Sequence, residues 1–227
     1  MKFKRTIQLI GEEKFDLLKK STVLVVGLGG VGGHATEALA RSGVGKLIIV
    51  DKSSVDESNI NRQVIALEST IGIPKPIVMK NRLLDINKDI DVVTYHEFYN
   101  LDTKEEIFNH KIDYVIDAID TVTFKIDIIK ECLKRNIPFI SSMGMGNKLH
   151  PELLEISELS KTSYDPIAKI IRKKLREERI KGKVPVIYSK EEPYKEDSES
   201  KYPASNSFVP ATAGLLAASY IVNKIIE

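Results

Sequence analysis

The run VVGLGGVGGHATEALARSG, from Val25 to Gly43, sets a cluster of glycines between an apolar segment and a segment of helical period. Thr22–Val26 reads as a buried strand entering the glycine loop, His34–Arg41 as the helix that follows, and Lys46–Val50 as a second buried strand ending at Asp51. Strand, glycine loop, helix and strand make one βαβ unit, the start of a doubly wound sheet. At Gly27, Gly29, Gly30, Gly32 and Gly33 the missing side chains let backbone N–H groups approach phosphate oxygens, while the helix presents its positive end to them. Asp51, 19 residues beyond Gly32, is placed to accept hydrogen bonds from ribose hydroxyls. A dinucleotide and ATP use these features alike, and on these residues alone a dinucleotide cofactor is the first reading. The other phosphate loop, in which a lysine and a hydroxyl residue close a glycine run, is absent: Lys46 follows Gly45 but precedes Leu47.

Outward from this unit the same alternation continues. Val92–Tyr95, Tyr114–Ile116 and Pro138–Ser141 read as strands, and Thr121–Arg135 as a helix with Phe124, Ile128 and Cys132 spaced at four. The expected class is α/β, Rossmann-like, with about five strands before Gly146. Beyond it come a basic helix over Asp165–Arg179, a short strand over Pro185–Tyr188, a polar acidic stretch over Lys190–Ser200 and an apolar terminal helix over Val209–Ile226. Residues 1–227 are expected to form one domain: an N-terminal arm and helix over 1–21, a nucleotide-binding core over 22–146, and a C-terminal extension over 147–227 closing over the site. Ser207, Pro210, Thr212, Ser219, Asn223 and Lys224 interrupt the terminal segment, which predicts burial in a core or dimer interface and no membrane span.

Composition narrows the class. With 42% hydrophobic and 29% charged residues over 227 positions, the chain can bury a substantial core, and a net charge of +2 excludes a wholly basic nucleic-acid-coating surface. The single cysteine, Cys132, excludes an internal disulfide framework and a four-cysteine zinc site, and points to a reducing compartment. Lys2, Lys4, Arg5, Glu12 and Glu13 break up the first twenty residues, so a cytoplasmic location without a signal peptide is expected.

The stretch SNINRQVIALESTIGIPK, Ser58–Lys75, changes the reading of the loop. It brings Asn59, Arg62, Gln63 and Lys75 shortly after Asp51, at the mouth of the sheet where ligands of such folds bind. A dinucleotide's diphosphate carries about two charges and is already served by a helix end, whereas ATP carries about four and calls for cationic side chains or a metal. GLGGVGG at Gly27, SNINRQ at Ser58, GIPK ending at Lys75 and DAID at Asp117, in this order, resemble the ubiquitin-activating-enzyme-like adenylyltransferases. The resemblance implies that Asp51 holds the ATP ribose, that Asn59, Arg62 and Lys75 bind phosphates, and that Asp120 holds Mg2+. Its place just past a buried strand suits Asp120 to that ion, while Asp117 could cap the helix beginning near Thr121.

Members of this superfamily that adenylate sulfur-carrier proteins resemble one another in two CxxC pairs, and many have a nucleophilic cysteine. This chain has neither CxxC pair, and Cys132 falls on the apolar helix face with Phe124 and Ile128, so packing is expected of it and a thioester step is not. SELSKTSYDPIAKIIRKKLR, VPVIYSKEEP and SFVPATAGLLAASYIV resemble, within the superfamily, the tRNA threonylcarbamoyladenosine dehydratases. The resemblance implies a homodimer that uses ATP and Mg2+ to activate the threonylcarbamoyl carboxylate on a tRNA adenosine, followed by cyclisation with loss of water. The alternatives are adenylation of a sulfur-carrier protein's C-terminus, a dehydrogenase, and a nucleotide-gated RNA-binding module without turnover.

Partner residues follow the same division. From Lys169 to Lys183 eight residues are positive and two negative, a local +6 that leaves −4 for the remainder. Asp165 and Pro166 would cap and start this helix, with Ile167, Ile170, Ile171 and Leu175 facing inward and Arg172, Lys173 and Arg176 outward toward an RNA backbone. Phe3 and Arg5 are expected to precede the first helix in KFKRTIQLIGEE, and the resemblance implies that Arg5 reaches the phosphates of a second subunit. It also implies that Lys190–Ser200 is a mobile loop crossing the nucleotide, and a sulfur-transfer protein as a further partner.

Overall fold

The computed structural model describes residues 2–194 and 203–227. In chain order the elements are α1 (Lys4–Ile10), α2 (Glu12–Lys20), β1 (Thr22–Val26), α3 (Gly32–Ser42), β2 (Lys46–Val50), α4 (Lys75–Ile86), β3 (Asp91–Tyr95) and α5 (Lys104–Phe108). They continue with β4 (Tyr114–Asp117), α6 (Val122–Arg135), β5 (Phe139–Ser142), β6 (Leu154–Glu158), α7 (Pro166–Glu177), β7 (Pro185–Ser189) and α8 (Phe208–Ile226).

The seven strands form one sheet in the order β3-β2-β1-β4-β5-β7-β6, parallel except for β6, which runs antiparallel to β7. Period-two alternation divides each central strand between two cores. Val23, Val25, Leu47 and Ile49 pack with Leu39 of α3 and Ala213 and Ile221 of α8 on one face. Leu24, Val26, Ile48 and Val50 pack with Ile128 and Cys132 of α6 and Ile171 of α7 on the other. Each such fully buried side chain contributes roughly 1.5–3 kcal/mol. α8 is long and apolar enough to cross a membrane by composition, yet Val209, Ala213, Ala217 and Ile221 lie wholly inside the first core.

The register sets the site. Val26 pairs with Val50 on one side and Asp117 on the other, so β1, β2 and β4 end at one level. The chain builds outward from β1 to β3 and then returns to add β4 on the opposite side, which makes the gap between β1 and β4 the switch point where ligands of open α/β sheets bind.

One expectation changes, the structure adds elements, and one expectation falls largely outside the described residues. Arg5 lies within α1, the helix it was expected to precede. Lys75 opens α4, whose Met79 and Leu83 face the core, in a stretch to which the sequence reading assigns no element. β6 is an additional strand, half-buried except at the exposed Ile156. The crossing-loop expectation for Lys190–Ser200 concerns, from residue 195 onward, positions outside the described residues.

Candidate active site

The loops after β1, β2 and β4 surround a cleft of about 860 Å3, walled on its far side by Met145, Gly146, Pro203, Ser205 and Pro210 from the second half of the chain. Gly27 turns the chain with φ +93°, and a Cβ there would stand 2.7 Å from the Ala118 carbonyl oxygen. Gly29, Gly30 and Val31 line the cleft, and the first turn of α3 has no side-chain cap; the Gly33 amide donates to the Gly29 carbonyl at 3.0 Å, and the other amides of the loop and first turn are the ones that could face an anion. Gly32 differs from its expected role as a phosphate contact. It is absent from the cleft wall, and a Cβ on it would overlap the Gly27 carbonyl oxygen, so its service is to let α3 pack close under the loop.

Asp51, Asn59, Arg62, Gln63, Lys75 and Asp120 all line this cleft. The Asp51 carboxylate accepts from Leu28 N at 2.7 Å and Ser53 N at 2.8 Å, which fixes its orientation and leaves further lone pairs for hydroxyl donors. Arg62 Nη1 donates to the Ser58 carbonyl at 2.7 Å and to Asn61 Oδ1 at 2.8 Å, so the guanidinium is held at the cleft edge by its own loop. Asn59 is buried, its Oδ1 accepting from Asp56 N at 3.3 Å. Gln63 is also buried, and its Oε1 has no partner among the described residues, an acceptor awaiting a donor inside the site. Lys75 Nζ makes no ion pair among the described residues. Burial lowers its pKa below the ordinary lysine value, with Asp51 opposing and the Arg62 guanidinium adding to the shift. Polyphosphate beside it would oppose that shift, because a nearby negative charge favours the ammonium form.

Asp120 stands exposed at the tip of the loop after β4, its Oδ1 3.4 Å from the Thr121 hydroxyl. Asp117, which the sequence leaves open as a helix cap, does not serve as one. Thr121 occupies the cap position of α6, and Asp117 is wholly buried, its Oδ2 2.7 Å from Lys125 Nζ and accepting from Ser141 Oγ at 2.5 Å. Lys125 also donates to the Ser142 carbonyl at 2.8 Å, and Asp117 Oδ1 accepts from Ile119 N at 3.3 Å. The pair therefore ties the loop carrying Asp120 to the ends of β4 and β5. Lys52, whose ammonium lies 4.3 Å from the Phe98 ring centre, and Phe98 and Tyr99 line the cleft as well. The sequence signal for these was available, since they follow the C-terminal ends of β2 and β3.

Cys132 is wholly buried on α6 and burial raises its thiol pKa, which removes the thiolate needed for nucleophilic attack. Cys132→Ala is expected to retain most activity per folded molecule and to cost about 1 kcal/mol of stability. Complete loss of turnover at an unchanged melting temperature would contradict the packing role.

The basic helix α7 begins as expected, Asp165 Oδ1 accepting from Ala168 N at 2.9 Å with Pro166 following. Two expectations for it are corrected. Ile170 is largely exposed, the inner face being Ala168, Ile171 and Leu175. Arg172 faces protein, its Nη1 donating to the carbonyls of Leu159 at 3.1 Å and Thr162 at 3.0 Å. Lys173 is exposed 3.8 Å from Glu177, and Arg176 is exposed. Arg5 is exposed on α1 and does not line the cleft of its own chain.

A glycine loop at a switch point, in a cleft lined by Lys52, Arg62 and Lys75 with Asp51, Glu97 and Asp120, defines a nucleotide-binding α/β protein that handles a polyphosphate. The chain belongs to the ThiF family, whose model matches residues 3–225. It is 48% identical over 99% of its length to the tRNA threonylcarbamoyladenosine dehydratase of Bacillus subtilis, covering 94% of that protein. It is similar to the E. coli tRNA N6-threonylcarbamoyladenosine dehydratase TcdA, solved in complex with AMP, at a TM-score of 0.93 and 33% identity over 99% of this chain and 94% of that one. The same E. coli protein has been solved in complex with ATP. Similarity to the molybdopterin-synthase adenylyltransferase of Haemophilus influenzae, 33% identical, covers 62% of this chain and 56% of that protein.

Proposed function

We propose that the chain is an ATP-dependent tRNA threonylcarbamoyladenosine dehydratase. The observation that carries the reading is the convergence of an uncapped helix start, Arg62 and Lys75 on one cleft, in a chain alike over 99% of its length to a dehydratase of that name. In the proposed reaction the substrate carboxylate attacks the α-phosphorus of ATP and pyrophosphate leaves. The threonylcarbamoyl group then closes on the activated acyl carbon and AMP leaves, so that one water is lost overall. Arg62 and Lys75 neutralise charge on the phosphates, Asn59 and Gln63 supply polar contacts, and Asp51 holds the ribose. An internal nucleophile already held beside the acyl group makes an enzyme cysteine unnecessary.

Mg2+ fits the donor set. Asp120 offers one exposed carboxylate, and no group of three or more His, Cys, Asp or Glu suited to a metal occurs among the described residues. A hard ion held by one carboxylate, phosphate oxygens and water matches such a site and would offset charge on the leaving pyrophosphate. The assay for the whole reading combines the protein, ATP, Mg2+ and threonylcarbamoylated tRNA. The expected result is a nucleoside lighter by one water, with AMP and pyrophosphate in equal amounts. An unchanged nucleoside, with ATP turnover appearing only when a sulfur-carrier protein is added, would favour the alternative.

The tRNA backbone is assigned to the exposed basic residues of α7. Replacing Lys169, Lys173 and Arg176 with Gln is expected to weaken tRNA binding and flatten its salt dependence, by roughly 0.7–0.9 in slope for each phosphate left unneutralised, with ATP affinity unchanged. Equal tRNA binding at several salt concentrations would remove α7 from the interface.

A homodimer would give Arg5 a function, since Leu9 on the same helix is 84% exposed and lacks cover. Arg5→Ala and Asp120→Ala chains should each be inactive alone. A mixed dimer then has one site with both defects and one with neither, so about half of its sites should recover. No recovery after confirmed subunit exchange would rule out action across the dimer. We further read 1–227 as one domain, because β6 and β7 of the C-terminal extension join the core sheet, and α8 as a core helix and not a membrane span. A cytoplasmic setting fits an ATP- and tRNA-using reaction. For a sulfur-transfer partner the support is the shared family with the molybdopterin-synthase adenylyltransferase.

A further inference from the structure

Among the described residues, four other than glycine have positive φ: Asn136, Asn147, Tyr164 and Arg179. Asn tolerates this region, Asn136 closing α6, and Arg179 lies just past the end of α7. Tyr164 has no such excuse. It is a bulky aromatic at φ +53°, in a non-helical turn, with 62% of its surface exposed. The flanks hold it there. Before it, the Thr162 carbonyl accepts from Arg172 Nη1 at 3.0 Å; after it, Asp165 accepts from Ala168 N at 2.9 Å and from Gly144 N at 3.0 Å, with the buried Lys148 ammonium 3.5 Å away. A side chain kept in a costly backbone region and turned to solvent does not pack the core, and such strain concentrates where a ligand is handled.

The position specifies the ligand. Tyr164 directly precedes the cap of α7, whose exposed surface carries Lys169, Lys173, Lys174 and Arg176 around the exposed Ile170. The Asp165–Gly144 bond anchors the same turn to the segment whose next residues, Met145 and Gly146, wall the cleft. A nucleic-acid backbone on the basic helix therefore leads past an exposed aromatic ring to the mouth of the nucleotide site. We propose that Tyr164 is a stacking platform for an unpaired base of the RNA substrate, steering the strand from α7 toward the cleft. The proposal rests on the tRNA reading above and adds a base contact to it.

The chain has no tryptophan, so Tyr164→Trp introduces a unique emission probe at this point. Its fluorescence should be quenched by tRNA and follow the binding isotherm. Tyr164→Phe should bind as wild type. Tyr164→Ala should bind tRNA more weakly by about 5- to 150-fold, the range of one base–aromatic stack, with an unchanged salt slope and unchanged ATP affinity, because no charge is removed. A fully paired RNA duplex, which offers no free base, should bind all four proteins alike. Tyr164→Gly, which relieves the backbone, should melt higher than Tyr164→Ala while binding tRNA as weakly. Wild-type tRNA affinity in Tyr164→Ala, or unquenched tryptophan at saturating tRNA, would overturn this proposal and leave the functional reading standing. A wild-type protein that binds no tRNA would overturn both.

Discussion

Asp120→Ala is expected to give a folded protein whose ATP-dependent pyrophosphate release falls roughly a thousandfold, the scale of removing one preorganised contact to developing charge. The carboxylate is exposed and its one side-chain hydrogen bond among the described residues, accepted from the Thr121 hydroxyl at 3.4 Å, is weak, so stability should stay within about 0.5 kcal/mol of wild type. The loss should persist at raised Mg2+, since the position of the ion is what the side chain supplies. A folded variant turning over within about tenfold of wild type would sink the metal assignment.

Gly32→Ala is expected to act through the fold. One methyl group would overlap the Gly27 carbonyl oxygen, a backbone atom, and would crowd the Ala118 side chain at 3.1 Å. Overpacking against backbone should cost about 3 kcal/mol and abolish ATP binding with it. Gly29→Ala provides the contrast. Its Cβ would meet nothing within 4 Å, so the variant should melt near wild type and lose affinity only through the methyl group's intrusion into the cleft. Urea midpoints and ATP titration on both variants separate the two effects. Normal stability in Gly32→Ala would show that α3 can shift under the loop.

The limits of the central strands were legible because burial on both faces leaves uninterrupted apolar runs: Thr22–Val26 and Lys46–Val50 coincide with β1 and β2. Lys75 could be placed at the mouth of the sheet, but Gly72 and Pro74 concealed the helix it opens, because the turn chemistry outweighs the four-residue spacing of Met79 and Leu83. β6 escaped notice since LEISE is only five residues long and its two apolar residues, Leu154 and Ile156, are too few to stand out among polar neighbours. Of the candidate site, the residues facing phosphate were readable from charge and order along the chain. Arg172 was not: spacing puts it beside Lys173 on a basic helix, and only the path of residues 159–162 shows that its guanidinium is occupied by carbonyls. The same limit applied to Asp117, whose partner Lys125 lies eight residues on, across the α6 turn.

That buried pair also governs which substitutions this chain can accumulate. Removing either Lys125 or Asp117 alone strands a charge in the core and costs about 3–5 kcal/mol, a large share of a domain's whole margin, whereas replacing both with apolar residues of similar volume is often near neutral. Neither single change is a passable intermediate. The first aspartate of DAID is therefore locked in place by its neighbour's charge, and would persist in descendants of this sequence even if the chemistry at Asp120 were lost. Its presence in a motif therefore reports the cost of a stranded charge as well as chemistry, and a sequence that has lost both residues together would keep a viable core while giving up the tie that holds the Asp120 loop.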